Sequence, residues 1–187
     1  MFKRRLLTLS SLVIVTILAV LLLPLVVMVT LLLSTSPKYR TAPQALTFIY
    51  GFLLFEWSGL TRFAWVLARY PRQEQMEQNR AIQLWWAQGL LDMGQKLYKL
   101  RIEVSGEDAL KGNTALLLSR HSSMGDTALP LLFFSKARSE GLRYVLKQEL
   151  QLLPCLDIGG HRLPNVFVDR TGADSVKAVK DVSDLIA

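Results

Sequence analysis

The chain has 187 residues, a formal net charge of +7, and 51% hydrophobic residues; its mean hydropathy is +0.28 and its pI about 9.8. That length leaves room for one modest soluble domain beside any membrane segment. One cysteine, Cys155, excludes an internal disulfide, and with only two histidines the composition argues against a structural zinc site. The basic balance favours anionic partners.

The apolar excess lies before Arg69. Residues 6–33 carry no charged side chain, and 28 helical residues would extend about 42 Å, enough to cross a bilayer with tilt. A secretory signal has a shorter apolar core, so Lys3, Arg4 and Arg5 read as topology signals that hold the N-terminus on the cytoplasmic side. A second apolar stretch, 45–68, is rich in aromatics and interrupted by Glu56 and Arg62. It suits a returning span, an interfacial helix, or a hydrophobic helix packed on the soluble part. Residues 1–70 are therefore expected to form a membrane anchor and 71–187 a separate domain.

Beyond Pro71, apolar residues from Met76 to Leu97 recur at mostly helical spacing and predict a long helix over 73–100. Leu100, Ile102 and Val104 alternate with charged residues, the pattern of a half-buried strand. Residues 114–118 read as a buried strand, 142–146 and 165–168 as two more, with a helix from about Ser123 and another over 174–186 capped by Asp174. Strands alternating with helices predict an α/β architecture.

His121 follows the 114–118 strand, and Asp126 comes five residues later. A carboxylate beside a histidine fixes its tautomer and stabilises the imidazolium while the other ring nitrogen accepts a proton from a hydroxyl. A helix N-terminal aspartate and a hydrogen-bonded histidine give the same spacing without chemistry. Ser122 and Ser123 lack a nucleophile-elbow context and read as turn residues. Cys155 reads as a packing residue, and His161, after Gly159 and Gly160, as a loop residue at the surface or in a hydrogen bond.

The order of these features resembles the glycerophospholipid acyltransferases, the family of the lysophosphatidic acid acyltransferases. Residues 119–126 look like the family's H-x-x-x-x-D block, Tyr144–Lys147 through Pro154 like its middle segment, and Val166–Arg170 like its second block. The likeness covers about fifty residues. It implies a membrane-anchored enzyme with a glycerolphosphate-acyltransferase-like α/β domain, and no cofactor beyond acyl-CoA or acyl carrier protein as co-substrate. By the same resemblance His121 deprotonates the hydroxyl of a lysophospholipid acceptor, Asp126 orients His121, and Arg170 grips the acceptor phosphate. It also places Lys147 and Phe167 among the substrate contacts; Lys147 and Arg162 read equally as solvated basic residues near an anionic surface. Arg120 and the pair Pro164–Asn165 depart from the family pattern. The E-G-T-R block is missing, so the sequence is expected to represent a domain incomplete at its C-terminus. Expected partners are membrane lipids, a lysophospholipid and an acyl thioester; the scattered basic residues lack the aromatic interleaving of a nucleic-acid surface. A non-catalytic lipid-binding or interaction protein is the alternative.

Overall fold

The computed structural model describes residues 1–106, 108, 116–118, 126, 128–137, 141–169 and 175–186. Six α-helices occur among them: α1 (Phe2–Ser34), α2 (Ala42–Arg69), α3 (Arg72–Tyr98), α4 (Ala128–Ala137), α5 (Pro154–Arg162) and α6 (Ser175–Ile186). Two three-residue strands, β1 (Val145–Lys147) and β2 (Val166–Val168), complete the set together with short 3-10 turns.

Leu, Val and Ile fill α1, and its surface is almost wholly uncovered by the rest of the protein. Among the described residues it is the one helix long and apolar enough to cross a membrane. An antiparallel hairpin joins α1 to α2. Trp57 Nε1 donates to Thr16 Oγ1 at 2.9 Å, and Tyr50 donates its hydroxyl to the Ala19 carbonyl at 2.6 Å. Both bonds satisfy polar groups that apolar surroundings would otherwise leave unpaired.

Pro71 cannot continue α2 and sets up the turn into α3, which runs back along α2. Aromatic pairs stitch the two together: Phe48 with Tyr98, Phe52 with Trp86, and Phe55 with Trp85. The core has two parts. Phe63, Val66, Ile82 and Cys155 join α2, α3 and α5, while Ala87, Leu131 and Leu132 join α3 to α4. Close approach of α5 to α2 requires Gly59, where a Cβ would stand 2.4 Å from the Cys155 sulfur.

The expected α/β architecture is corrected by this arrangement. Helix accounts for 79% of the structure, and the sheet has only two parallel strands, so the chain is mostly helical and is not an α/β acyltransferase domain. The reasons are local. Lys99 adopts φ 54°, the left-handed conformation that closes α3, and residues 100–106 continue without strand structure. Leu100 and Val104 stay exposed, so their alternating pattern has no sheet to face. Leu116 and Leu118 are likewise exposed and outside any strand, whereas the buried apolar surface lies on α2, α3 and α5.

The long helix read over 73–100 corresponds to α3, and the helix read over 174–186 to α6. The helix expected from Ser123 is observed from Ala128. Asp174, its proposed cap role included, lies outside the described residues, as do 114 and 115.

Candidate functional site

Strands β1 and β2 bring two distant segments together. They pair in parallel, with Val145 opposite Val166, Leu146 opposite Phe167 and Lys147 opposite Val168. Parallel neighbours need a crossover, and α5 provides it. Asn165 fixes the start of the pair: its Oδ1 accepts from the Tyr144 amide at 2.8 Å, and its Nδ2 donates to the Gly160 carbonyl at 3.3 Å. The Val166 amide then donates to the Tyr144 carbonyl at 2.8 Å. Asn165 thus holds the register of the two strands.

Lys147 stands at the exposed C-terminal end of β1, and its Nζ lies 2.8 Å from Glu149 Oε1. The hydrogen bond from Lys147 lowers the Glu149 pKa. Phe167 turns onto α5, where its ring stacks on His161 at 4.8 Å between centroids. A Cβ at Gly160 would come within 2.5 Å of that ring, so the glycine makes space for it. Phe167 is a packing side chain in this position.

Asp126 is half-buried, two residues before α4. His121 and Arg170 lie outside the described residues. The structure therefore brings Lys147 and Phe167 to one strand pair.

A cluster of charge on α5 was not anticipated from the sequence. Asp157 is completely buried, at 0% exposure. Its carboxylate accepts from Arg4 at 2.6 Å and from Arg5 Nε at 2.9 Å, joining the start of α1 to α5. Arg4 also donates to Gln151. His161 Nδ1 lies 2.7 Å from the Asp157 carbonyl oxygen and 3.0 Å from its carboxylate. Since both oxygens accept, that ring nitrogen carries the proton. His161 is the last-turn residue of a helix rather than part of a loop, which corrects the expectation at that position.

No family model, no curated protein and no solved structure matches this chain.

Arg162 donates to the Phe63 carbonyl at 2.5 Å and lies over the Phe63 ring. Burial, and then the nearby Arg5 charge, lower its pKa. Its role in this position is to join α5 to α2. Glu56, 1% exposed, accepts from the Cys155 amide at 3.1 Å through Oε2, while Oε1 has no hydrogen-bond partner among the described residues. Burial raises its pKa to about 7, and the Cys155 hydrogen bond offsets part of the effect. Burial above all, with the Glu56 charge second, pushes the Cys155 thiol up. A buried thiol with a raised pKa is a poor nucleophile. Burial also raises the Tyr144 phenol.

The signals for the Asp157 cluster were present but separated. An i, i+4 Asp–His pair follows Pro154, and two arginines stand 152 and 153 residues away. Nothing in the linear sequence connects them.

Proposed function

We propose that this protein is anchored in a membrane by α1 and transfers a fatty acyl group from acyl-CoA or acyl carrier protein to the hydroxyl of a lysophospholipid. The reading rests on the ordered succession of His121 and Asp126, the segment around Lys147, and the segment from Val166 to Arg170. Support from the fold is the parallel pairing of Val145–Lys147 with Val166–Val168, which makes the second and third of these segments neighbours.

In this mechanism His121 removes the acceptor's hydroxyl proton, the oxygen attacks the thioester carbonyl, and the carbon–sulfur bond breaks to release the thiol, which takes up the proton. Asp126 orients His121, and Arg170 holds the acceptor phosphate. Lysophosphatidic acid is the reference acceptor. Lys3, Arg4 and Arg5 favour a cytoplasmic N-terminus. The contact of Arg4 and Arg5 with Asp157 keeps α5 and the strand pair beside that end of α1.

The mostly helical architecture favours a second reading, a membrane-anchored lipid-binding or interaction protein without catalysis. One experiment separates them: thiol release from acyl-CoA by membranes carrying the chain, with and without lysophosphatidic acid. Acceptor-dependent release that disappears in His121→Ala is the expected result. Release unaffected by that substitution would refute the mechanism, and no release from a folded, inserted preparation would favour the non-catalytic reading.

A further inference from the structure

A groove of about 640 Å³ opens between the C-terminal half of α2 and the N-terminal half of α3, well within the size of ligand sites. Arg62, Trp65, Tyr70, Gln78, Ile82 and Trp85 line it. None of them belongs to the strand pair or to the Asp157 cluster.

Two features define its chemistry. The Arg62 guanidinium lies over the Trp85 ring, 4.1 Å from the centroid, and has no carboxylate partner among the described residues. Stacking of this kind occupies the face of the guanidinium and leaves its N–H edge available, the edge that grips phosphate oxygens in pairs. Trp65, in contrast, leaves 63% of its surface exposed, a large apolar ring left largely uncovered by the described residues.

The depth of the groove follows from the packing. Phe63, one residue from Arg62, is held by Arg162 of α5, and α5 in turn holds Arg4 and Arg5 through Asp157. The groove is therefore level with the basic start of α1, where the charge-free stretch begins. That is the headgroup boundary of a membrane entered by α1, the depth at which Trp and Tyr are enriched and long basic side chains reach water.

We propose that this groove binds a membrane phospholipid with an anionic headgroup, its phosphate on the Arg62 edge and its glycerol and upper acyl carbons against Trp65. This lipid is distinct from the acceptor discussed above. The assignment depends on the membrane reading of α1 but not on acyl transfer.

The test uses the full chain in phosphatidylcholine vesicles containing phosphatidylglycerol, with either lipid brominated on the upper acyl chain to quench tryptophan fluorescence. Co-flotation with the vesicles is measured first. A native chain that floats should be quenched preferentially by brominated phosphatidylglycerol, with an apparent preference of about fivefold, as expected for one basic side chain near the surface. Arg62→Gln should bring the ratio to about one, and Arg62→Lys should retain part of it. Arg62 is exposed, so neither substitution disturbs the core.

Flotation with equal quenching by both lipids would overturn the groove assignment alone, as would a preference that survives in Arg62→Gln. Failure to float would overturn the membrane reading and this proposal with it. Loss of the preference on adding millimolar inorganic phosphate would show an anion site rather than a lipid site.

Discussion

Replacing both Arg4 and Arg5 by methionine should destabilise the protein more than replacing Asp157 by asparagine. The three side chains belong to one cluster with His161, but they are buried unequally: Asp157 keeps 1% of its side-chain surface, Arg4 31% and Arg5 32%. Without Asp157, both guanidinium groups can turn toward water, so the loss is that of two charge-assisted hydrogen bonds less the hydration regained, about 1–3 kcal/mol. Without the arginines, a carboxylate remains where water cannot reach it, with the neighbouring His161 Nδ1–H as its remaining contact, and breaking a buried pair in this way costs about 3–5 kcal/mol, toward the lower end with that contact kept. A difference of about 2 kcal/mol corresponds to about 4–8 °C in Tm for a chain of this size. Thermal unfolding of the purified chain in detergent, followed by tryptophan fluorescence, measures it. The triple variant Arg4→Met, Arg5→Met, Asp157→Asn should recover most of the loss, because no buried charge is left unpaired. Equal damage from Asp157→Asn and the double arginine variant, or no recovery in the triple variant, would refute the assignment of Asp157 as the buried member of the cluster.

Glu56 predicts a pH dependence. Its pKa in the fold is about 7 against an ordinary 4.5, so between those values the folded state binds a proton that the unfolded state has released. Stability contributed by this group therefore falls as pH rises from about 4.5 to 7, by about 3 kcal/mol in all. Glu56→Gln should flatten that slope and stabilise the protein at pH 8; an unchanged denaturant midpoint from pH 5 to 8 in the native chain would contradict it. At Gly59 an alanine would meet the buried Cys155 sulfur, and overpacking of this kind costs about 1–3 kcal/mol. Adding Cys155→Ala should return most of that loss, and simple additivity of the two substitutions would argue against the contact.

Helices longer than 25 residues were legible because their signals are local and repeated: a charge-free run for α1, aromatic and apolar spacing for α2, and a proline-free stretch after Pro71 for α3. Strands were misread where alternation was taken as burial. Leu100, Ile102 and Val104 have the right period, but a strand exists only when another strand is available to pair with it. Residues 145–147 and 166–168 have that partner; the second lies within the expected 165–168, whereas the first shares only Val145 and Leu146 with the expected 142–146 and runs on to Lys147. Of the residues named by resemblance, Lys147 and Phe167 fall on the strand pair, but the stacking of Phe167 on His161 depends on the missing Cβ of Gly160 and on the α5 crossover, neither of which the sequence displays. The Asp157 cluster was invisible for a different reason. Sequence patterns report neighbours within a few residues, and Arg4 is an ordinary flanking cation until the fold brings it to α5.

That separation also sets an order of events. Arg4 and Arg5 leave the ribosome first, and their carboxylate follows some 150 residues later, a delay of about 8–30 s at ordinary rates of synthesis. Throughout that interval the two arginines are uncompensated cations flanking an apolar segment, the condition under which flanking charge directs orientation. Once Asp157 is made and α5 docks, the same two side chains become internal ties with no further influence on direction. In the membrane-anchored protein proposed above, one pair of residues would thus act first on the path of the nascent chain and afterwards on the finished molecule, and a substitution there would be felt at two different times.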